Sequence, residues 1–201
     1  MAAPASKTTA DLSGKWTLNK TLSDPTDPAL ALQGIGWLVR KGIGAATITI
    51  TVKQTRNADG AARIDIDQSA SGLSSTHEAR VLTWTEREHK DWLFGKVRGR
   101  SKFISLADLN ALIAPGGEAR TEGWVDDSGF LAQDWLTGDE EGDAGLVISH
   151  VAAEAGWFAT QIWGFQDVGG ERRHVRNVTV SKGETYINFK MIYDFVSEST
   201  E

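Results

Sequence analysis

The sequence has no cysteine, which excludes a disulfide scaffold, thiolate catalysis and Cys-ligated zinc or iron–sulfur sites. Proline is scarce as well, with four in 201 residues, and no low-complexity linker interrupts the chain. No apolar run approaches the roughly 20 residues of a membrane span. Met1 to Ala10 is small and polar and lacks the apolar core of a secretory signal, so a cytoplasmic location is expected and the sequons at Asn19 and Asn177 are read as unused. Cations are outnumbered, 21 Lys and Arg against 27 Asp and Glu, for a formal charge of −6. That balance argues against nucleic acid as the main partner. A chain of this length can bury one sizeable core, so a single domain over 11–197 is expected, preceded by a flexible tail over 1–10.

What the chain holds in excess is tryptophan, eight in all. Indole offers a large flat apolar surface with one donor, which suits the wall of a ligand cavity. Charge is also uneven. Residues 118–143 carry nine acids against Arg120 alone, interspersed with glycine, and read as loops and solvated edges. A partner-binding role for the acids at 139–143 is one possible use of them.

Most of the chain alternates with period two. Ile48, Ile50 and Val52 alternate with threonines; Ile64, Ile66 and Gln68 alternate with Arg63, Asp65 and Asp67; Ile187, Phe189, Met191, Tyr193 and Phe195 alternate with Asn188, Lys190 and Asp194. Such patterning predicts strands with one wet face. Further strands are expected near 13–20, 76–86, 92–105, 119–126, 145–154, 157–166 and 172–181, with turns at Asn57–Gly60, Gly169-Gly170 and Lys182-Gly183. Asp24-Pro25 and Asp27-Pro28 are helix starts, and apolar residues then recur at three and four, predicting two short helices over 26–33 and 35–44. About ten antiparallel strands must close on themselves or pair with a second sheet to hide their edges. The expected fold is all-β: an antiparallel meander barrel of about ten strands, with a two-helix insert between strands 1 and 2. A β-sandwich is the alternative.

An ordered set of motifs supports the barrel. Ser13-Gly14-Lys15-Trp16 opens a strand, Gln33-Gly34-Ile35-Gly36-Trp37 leads to Arg40-Lys41, and Ala46–Ile50 and Ala62–Ile66 follow as strands. This resembles the intracellular fatty-acid-binding proteins of the calycin group. In that fold the opening Trp closes the bottom of the barrel, the part expected of Trp16. The chain is longer than those carriers, with the extra residues mostly in 85–155. Their Arg-x-Tyr carboxylate anchor is missing, because Met191 stands two places before Tyr193. The whole chain also resembles a fungal lipocalin-like group, through Gly34–Trp37, Asp65–Gln68, Trp84–His89, Gln161–Phe165 and Glu171–Arg173. Some of that group are hetero-Diels–Alderases of tropolone-sesquiterpenoid biosynthesis. The resemblance implies cycloaddition of a tropolone-derived quinone methide with a humulene-type alkene; the alternative it leaves is a non-catalytic lipid or polyketide carrier.

Candidate site residues follow from polar groups in phase with apolar ones. His174 and Arg176 share a face with Val178 and Val180, and Tyr193 shares one with Phe189 and Met191. These three are the expected catalytic donors, with Arg176 or a protonated His174 stabilising charge on a ligand oxygen. Trp37, Gln68, Trp84, Gln161, Trp163 and Phe189 are expected to bind a hydrophobic small molecule. Trp92 and Trp135 stay unassigned. The stripe Lys96, Arg98, Arg100 and Lys102 reads as an exterior face or an anion-attracting rim. His77, His89, His150 and His174 lie at no metal-binding spacing, and there is no P-loop, dinucleotide fingerprint or Gly-x-Ser-x-Gly. No metal and no cofactor are therefore expected.

Overall fold

The computed structural model describes residues 1–71, 74–136 and 145–198; the acids at 139–143 lie outside them. Ten strands form one antiparallel sheet: β1 (Gly14–Leu18), β2 (Ile48–Arg56), β3 (Ala62–Ala70), β4 (Ser74–Val81), β5 (Arg87–Asp91), β6 (Gly95–Ile104), β7 (Leu146–Ala153), β8 (Phe158–Val168), β9 (Glu171–Lys182) and β10 (Thr185–Ser197). The spatial order is β4-β3-β2-β1-β10-β9-β8-β7-β6-β5. Every neighbour follows in sequence except that β1 pairs with β10, which curls the meander on itself. End strand β4 approaches β6 and β7 without a ladder: the Trp84 N–H donates to the Ser101 carbonyl at 2.8 Å, and Arg80 reaches Ser149. Between β1 and β2 stand the two expected helices, α1 (Asp27–Leu32) and α2 (Trp37–Ala45). The all-β meander with its two-helix insert is thus as expected. The hairpin at Gly169-Gly170 is a two-residue turn with both glycines at positive φ, a conformation L-residues adopt at a cost.

One expectation is corrected. The segment 119–126 is not a strand. It contains α4 (Glu118–Thr121), preceded by α3 (Leu106–Ile113) and followed by a 3₁₀ turn over Phe130–Ala132. Helices are therefore not confined to the start of the chain. Ser105 caps α3 by accepting the Asp108 N–H. The first residues of the chain lie against the sheet. Ala3 donates to the Arg172 carbonyl at 2.7 Å and the Met1 carbonyl accepts from Phe195. Arg172 donates in turn to the carbonyls of Pro4 and Lys7, and buried Lys7 pairs with Glu198 at 2.7 Å.

Side chains alternate across the wall, and on β7 to β9 both faces are buried. The outer face of this region lies under residues 105–136. Ile148, Ile162, Val175 and Ile192 pack there against Leu109, Ile113, Trp124, Leu131 and Trp135. Polar seams register the layer: Asn177 donates to the carbonyls of Phe130 and Gln133, Ser181 donates to that of Gly123, and Gln166 joins Gln133 to Asn177. Gly164 lets the layers approach closely. A Cβ there would lie 2.6 Å from Leu146 Cδ2 and 2.9 Å from Trp135 Cε3. Gly164→Ala should therefore lower stability by about 1–3 kcal/mol, the usual cost of overpacking a core. Urea unfolding followed by tryptophan fluorescence measures this loss; an unchanged midpoint would show that the layers part freely.

Candidate functional site

Register fixes which side chains enter the curled sheet. On β9 the even residues point inward: Arg176 lies opposite Trp163 on β8 and Met191 on β10, and His174 lies opposite Phe165 and Tyr193. At one end Trp16, buried completely, donates its indole N–H to the Leu12 carbonyl at 2.9 Å and packs on His174 and Phe195. It occupies the position of a plug. At the other end Trp157, Val178, Val180 and Phe189 form a second apolar group with Ala29 of α1.

Between them lies a polar stretch. The Arg176 guanidinium sits 4.0 Å from the centre of the Trp163 ring and 5.0 Å from that of Tyr193. Arg176 is only 8% exposed, and its Nε–H has no acceptor among the described residues. Burial lowers its pKa from the ordinary arginine value, with Arg80 acting in the same direction. A second guanidinium, Arg80 of β4, stands 5.3 Å from the same indole ring. Arg80 donates to Ser149 Oγ and to Glu78 Oε2, each at 2.6 Å, which holds the Glu78 carboxyl below its usual range. Gln161 accepts the Trp163 indole N–H at 3.0 Å and so fixes the ring.

Of the expected residues, Arg176, His174, Tyr193, Trp163, Gln161 and Phe189 are on the inward face of adjacent strands, and Gln68 sits half-buried on β3 opposite Thr76. His174 takes a different form from the one expected. Burial, reinforced by Arg176, pushes its imidazole down to about 3, and Nδ1 donates to the Gly164 carbonyl at 3.1 Å. It is a neutral ring stacked on Tyr193, so it does not supply a proton. Burial raises the Tyr193 phenol pKa, and its hydroxyl keeps its hydrogen.

Two expected residues lie elsewhere. Trp37 is 63% exposed on the outside of α2, beside exposed Leu38 and Val39. The helix buries no residue, so its apolar periodicity does not mark a core face. Trp84 follows β4 in a left-handed conformation and packs outside the sheet. Arg100 lies over it at 4.4 Å and over Trp124 at 4.9 Å. The basic stripe is likewise exterior: Lys96 pairs with Glu88, Arg98 with Glu86 and Arg100 with Glu118. The sequence reading missed Arg80, Glu78 and Ser149. Their signal was the pairing of Ile64 with Arg80 and Ile66 with Glu78, which a single strand does not reveal. No cluster of three or more potential metal ligands occurs among the described residues. A shallow cleft with no room for a water molecule lies outside the wall, between Ile113, Phe130 and Thr179.

The fold defined by these ladders is that of the fatty-acid-binding proteins. Fatty-acid-binding protein 1 of Echinococcus granulosus superposes with a TM-score of 0.51 at 11% identity, over 92% of this chain and 97% of that one. No family model matches the sequence. Two curated fungal proteins do align over nearly their whole length. The probable pericyclase scpY of Mollisia scopiformis is 28% identical over 198 residues, covering 97% of this chain and 95% of scpY. The pericyclase pydY of an Acremonium species is 24% identical over 201 residues, covering 98% and 97%. The resemblance read from the motifs is borne out on both sides, calycin and fungal pericyclase. No helix among the described residues is long and apolar enough to cross a membrane.

Acid stability follows from the two buried imidazoles. His150, buried and stacked on Trp124 at 3.8 Å, is also pushed to about 3 by burial, with Arg100 adding to the effect. Unfolded histidines protonate near 6.5. Below that pH the unfolded chain binds more protons than the folded one. Stability is then complete above 6.5 and falls as the pH drops toward 3, by up to about 1.4 kcal/mol per unit for each ring. Urea melts between pH 7 and 4 measure the slope, which His174→Gln should reduce by about one proton; an unaltered slope would mean that the native ring titrates normally.

Proposed function

We propose that the protein binds a hydrophobic small molecule inside the curled sheet and promotes a pericyclic reaction there. The observation that carries this reading is Arg176: a buried guanidinium, held over Trp163 and Tyr193, whose Nε–H has no acceptor among the described residues. A buried donor of this kind is costly unless something accepts from it. A ligand oxygen bearing negative charge meets that need. The full-length likeness to two pericyclases supports the reaction class.

The finer reading is a hetero-Diels–Alder addition. A hydroxymethyl tropolone loses hydroxide from its side chain and a proton from its ring hydroxyl, leaving as water, and becomes a quinone methide. That heterodiene then forms one C–O and one C–C bond with a humulene-type alkene. Arg176 stabilises the charge that gathers on the tropolone oxygens during water loss, and Arg80 holds a second positive charge across the same ring. Since His174 is neutral, the fixed guanidinium charge does this work without a proton from the protein, and the ring-hydroxyl proton leaves with the departing hydroxide as water. Trp163 and Phe189 offer flat walls for the alkene. Enforcing near-attack geometry of two partners can be worth roughly 7–11 kcal/mol, and exclusion of water protects a diene that water would quench. The fatty-acid-binding fold favours one other reading, a carrier without catalysis.

Incubation with a hydroxymethyl tropolone and humulene separates the two. The enzyme reading expects a higher adduct yield and a changed isomer ratio relative to buffer and to heat-treated protein. A carrier would quench tryptophan fluorescence and leave yield and ratio unchanged. Arg176→Leu should lower turnover at least about tenfold, the loss of one charge-assisted contact in the transition state; kinetics equal to wild type would place Arg176 outside the reaction.

A further inference from the structure

Trp157 joins Arg176 and Arg80 as an inner-face side chain with an unmet donor, and it is the one of the three that carries no charge. It is 2% exposed, and its indole N–H has no acceptor among the described residues. Three of the four other buried tryptophans donate their indole N–H within the protein. Trp16 donates to Leu12, Trp135 to Leu131 and Trp163 to Gln161. Trp157 stands just before β8, in phase with Ala159, Gln161 and Trp163. Its ring is fixed edge-on to Phe94, 5.5 Å between centres. It shares a cluster with Val178, Val180 and Phe189, beneath Ala29 of α1. It therefore sits at the helix-covered end of the interior, far from the Trp16 plug.

Arg176 pairs across the ladder with Trp163. Six residues of strand separate Trp163 from Trp157, a distance of about 20 Å along the wall. The inward residues of β8 and β9 between Arg176 and Trp157 are Ala159, Val178 and Val180, with Gln161 the polar group on these two strands, turned toward the Trp163 indole. The inner wall thus reads guanidinium, apolar stretch, indole N–H.

The geometry points to a second polar subsite at Trp157, which accepts an uncharged oxygen (hydroxyl, ether or carbonyl) at the far end of a ligand whose charged end lies at Arg176. This assignment rests on the reading that the interior holds the ligand, and it adds that the ligand is elongated and oxygenated at both ends. Indole suits an uncharged acceptor because it brings one donor and no charge.

The test uses protein labelled with nitrogen-15 at tryptophan and two probes, hexadecanoate and omega-hydroxyhexadecanoate, whose extended chains match that span. Trp157→Phe and Trp163→Phe assign the two indole N–H resonances. The proposal expects the Trp163 resonance to move with both acids, and that of Trp157 to move downfield only with the hydroxylated one. It also expects Trp157→Phe to weaken the hydroxy acid at least about fivefold more than the plain acid, as loss of one hydrogen bond would. A Trp157 resonance that ignores the hydroxyl while Trp163 responds would overturn the subsite and leave interior binding standing. Silence of both resonances at saturating probe would overturn the two readings together.

Discussion

The structure depends on burying both faces of β7 to β9. A single-walled barrel must find its apolar core inside, in the space a ligand would occupy. Here residues 105–136 lie over the outer wall, and a second core forms between Leu109, Trp124, Leu131 and Trp135 on one side and Ile148, Ile162, Val175 and Ile192 on the other. Burial of such side chains contributes about 1.5–3 kcal/mol each. With that contribution made outside, the interior can hold Arg80, Arg176, Glu78 and Gln161, groups that a stability-optimised core excludes. The residues that lengthen the chain beyond the fatty-acid carriers thus support the wall, while the inner face holds the buried charged groups.

The same division explains the charge distribution. Exterior cations on β6 meet carboxylates at Glu86, Glu88 and Glu118, in solvated pairs of small energetic weight. Inside, two guanidiniums face one indole, and one of them, Arg80, pairs with the half-exposed carboxylate of Glu78. Interactions of charge are much stronger there than in water, so the side chains of β4 and β9 set the character of the site more than the acidic surface does. His174 fits this picture: next to Arg176 and out of solvent it stays neutral, and it serves as packing between Trp16 and Tyr193.

Much of this was legible in the sequence, and the failures have physical reasons. Alternation located the long strands because one wet face leaves a period-two trace, and on β9 it placed His174 and Arg176 on the face they occupy. The segment 119–126 misled because Trp124 and Val125 are buried by the insertion from outside the ladder, and α4 is a single turn with little periodicity of its own. The inward face of β4 was not readable, since its apolar Ala79 and Val81 look outward while Glu78 and Arg80 look in. Trp37 failed for a related reason: hydrophobic spacing on α2 shows that a face exists, not that anything covers it. Trp84 sits at positive φ beyond its strand, where alternation no longer applies.

The meeting of β4 with β6 has a mechanical consequence. Nine ladders bind the ten strands into one sheet, yet β4 meets β6 and β7 through the Trp84–Ser101 bond and the reach of Arg80 to Ser149. Circumference is therefore not set by a closed ring of ladders among the described residues. Widening the girth would strain one backbone bond and a side-chain clasp while the nine ladders stay whole. Because Arg80 is part of that clasp and also faces Trp163, the group that holds the seam together is the group a ligand would meet.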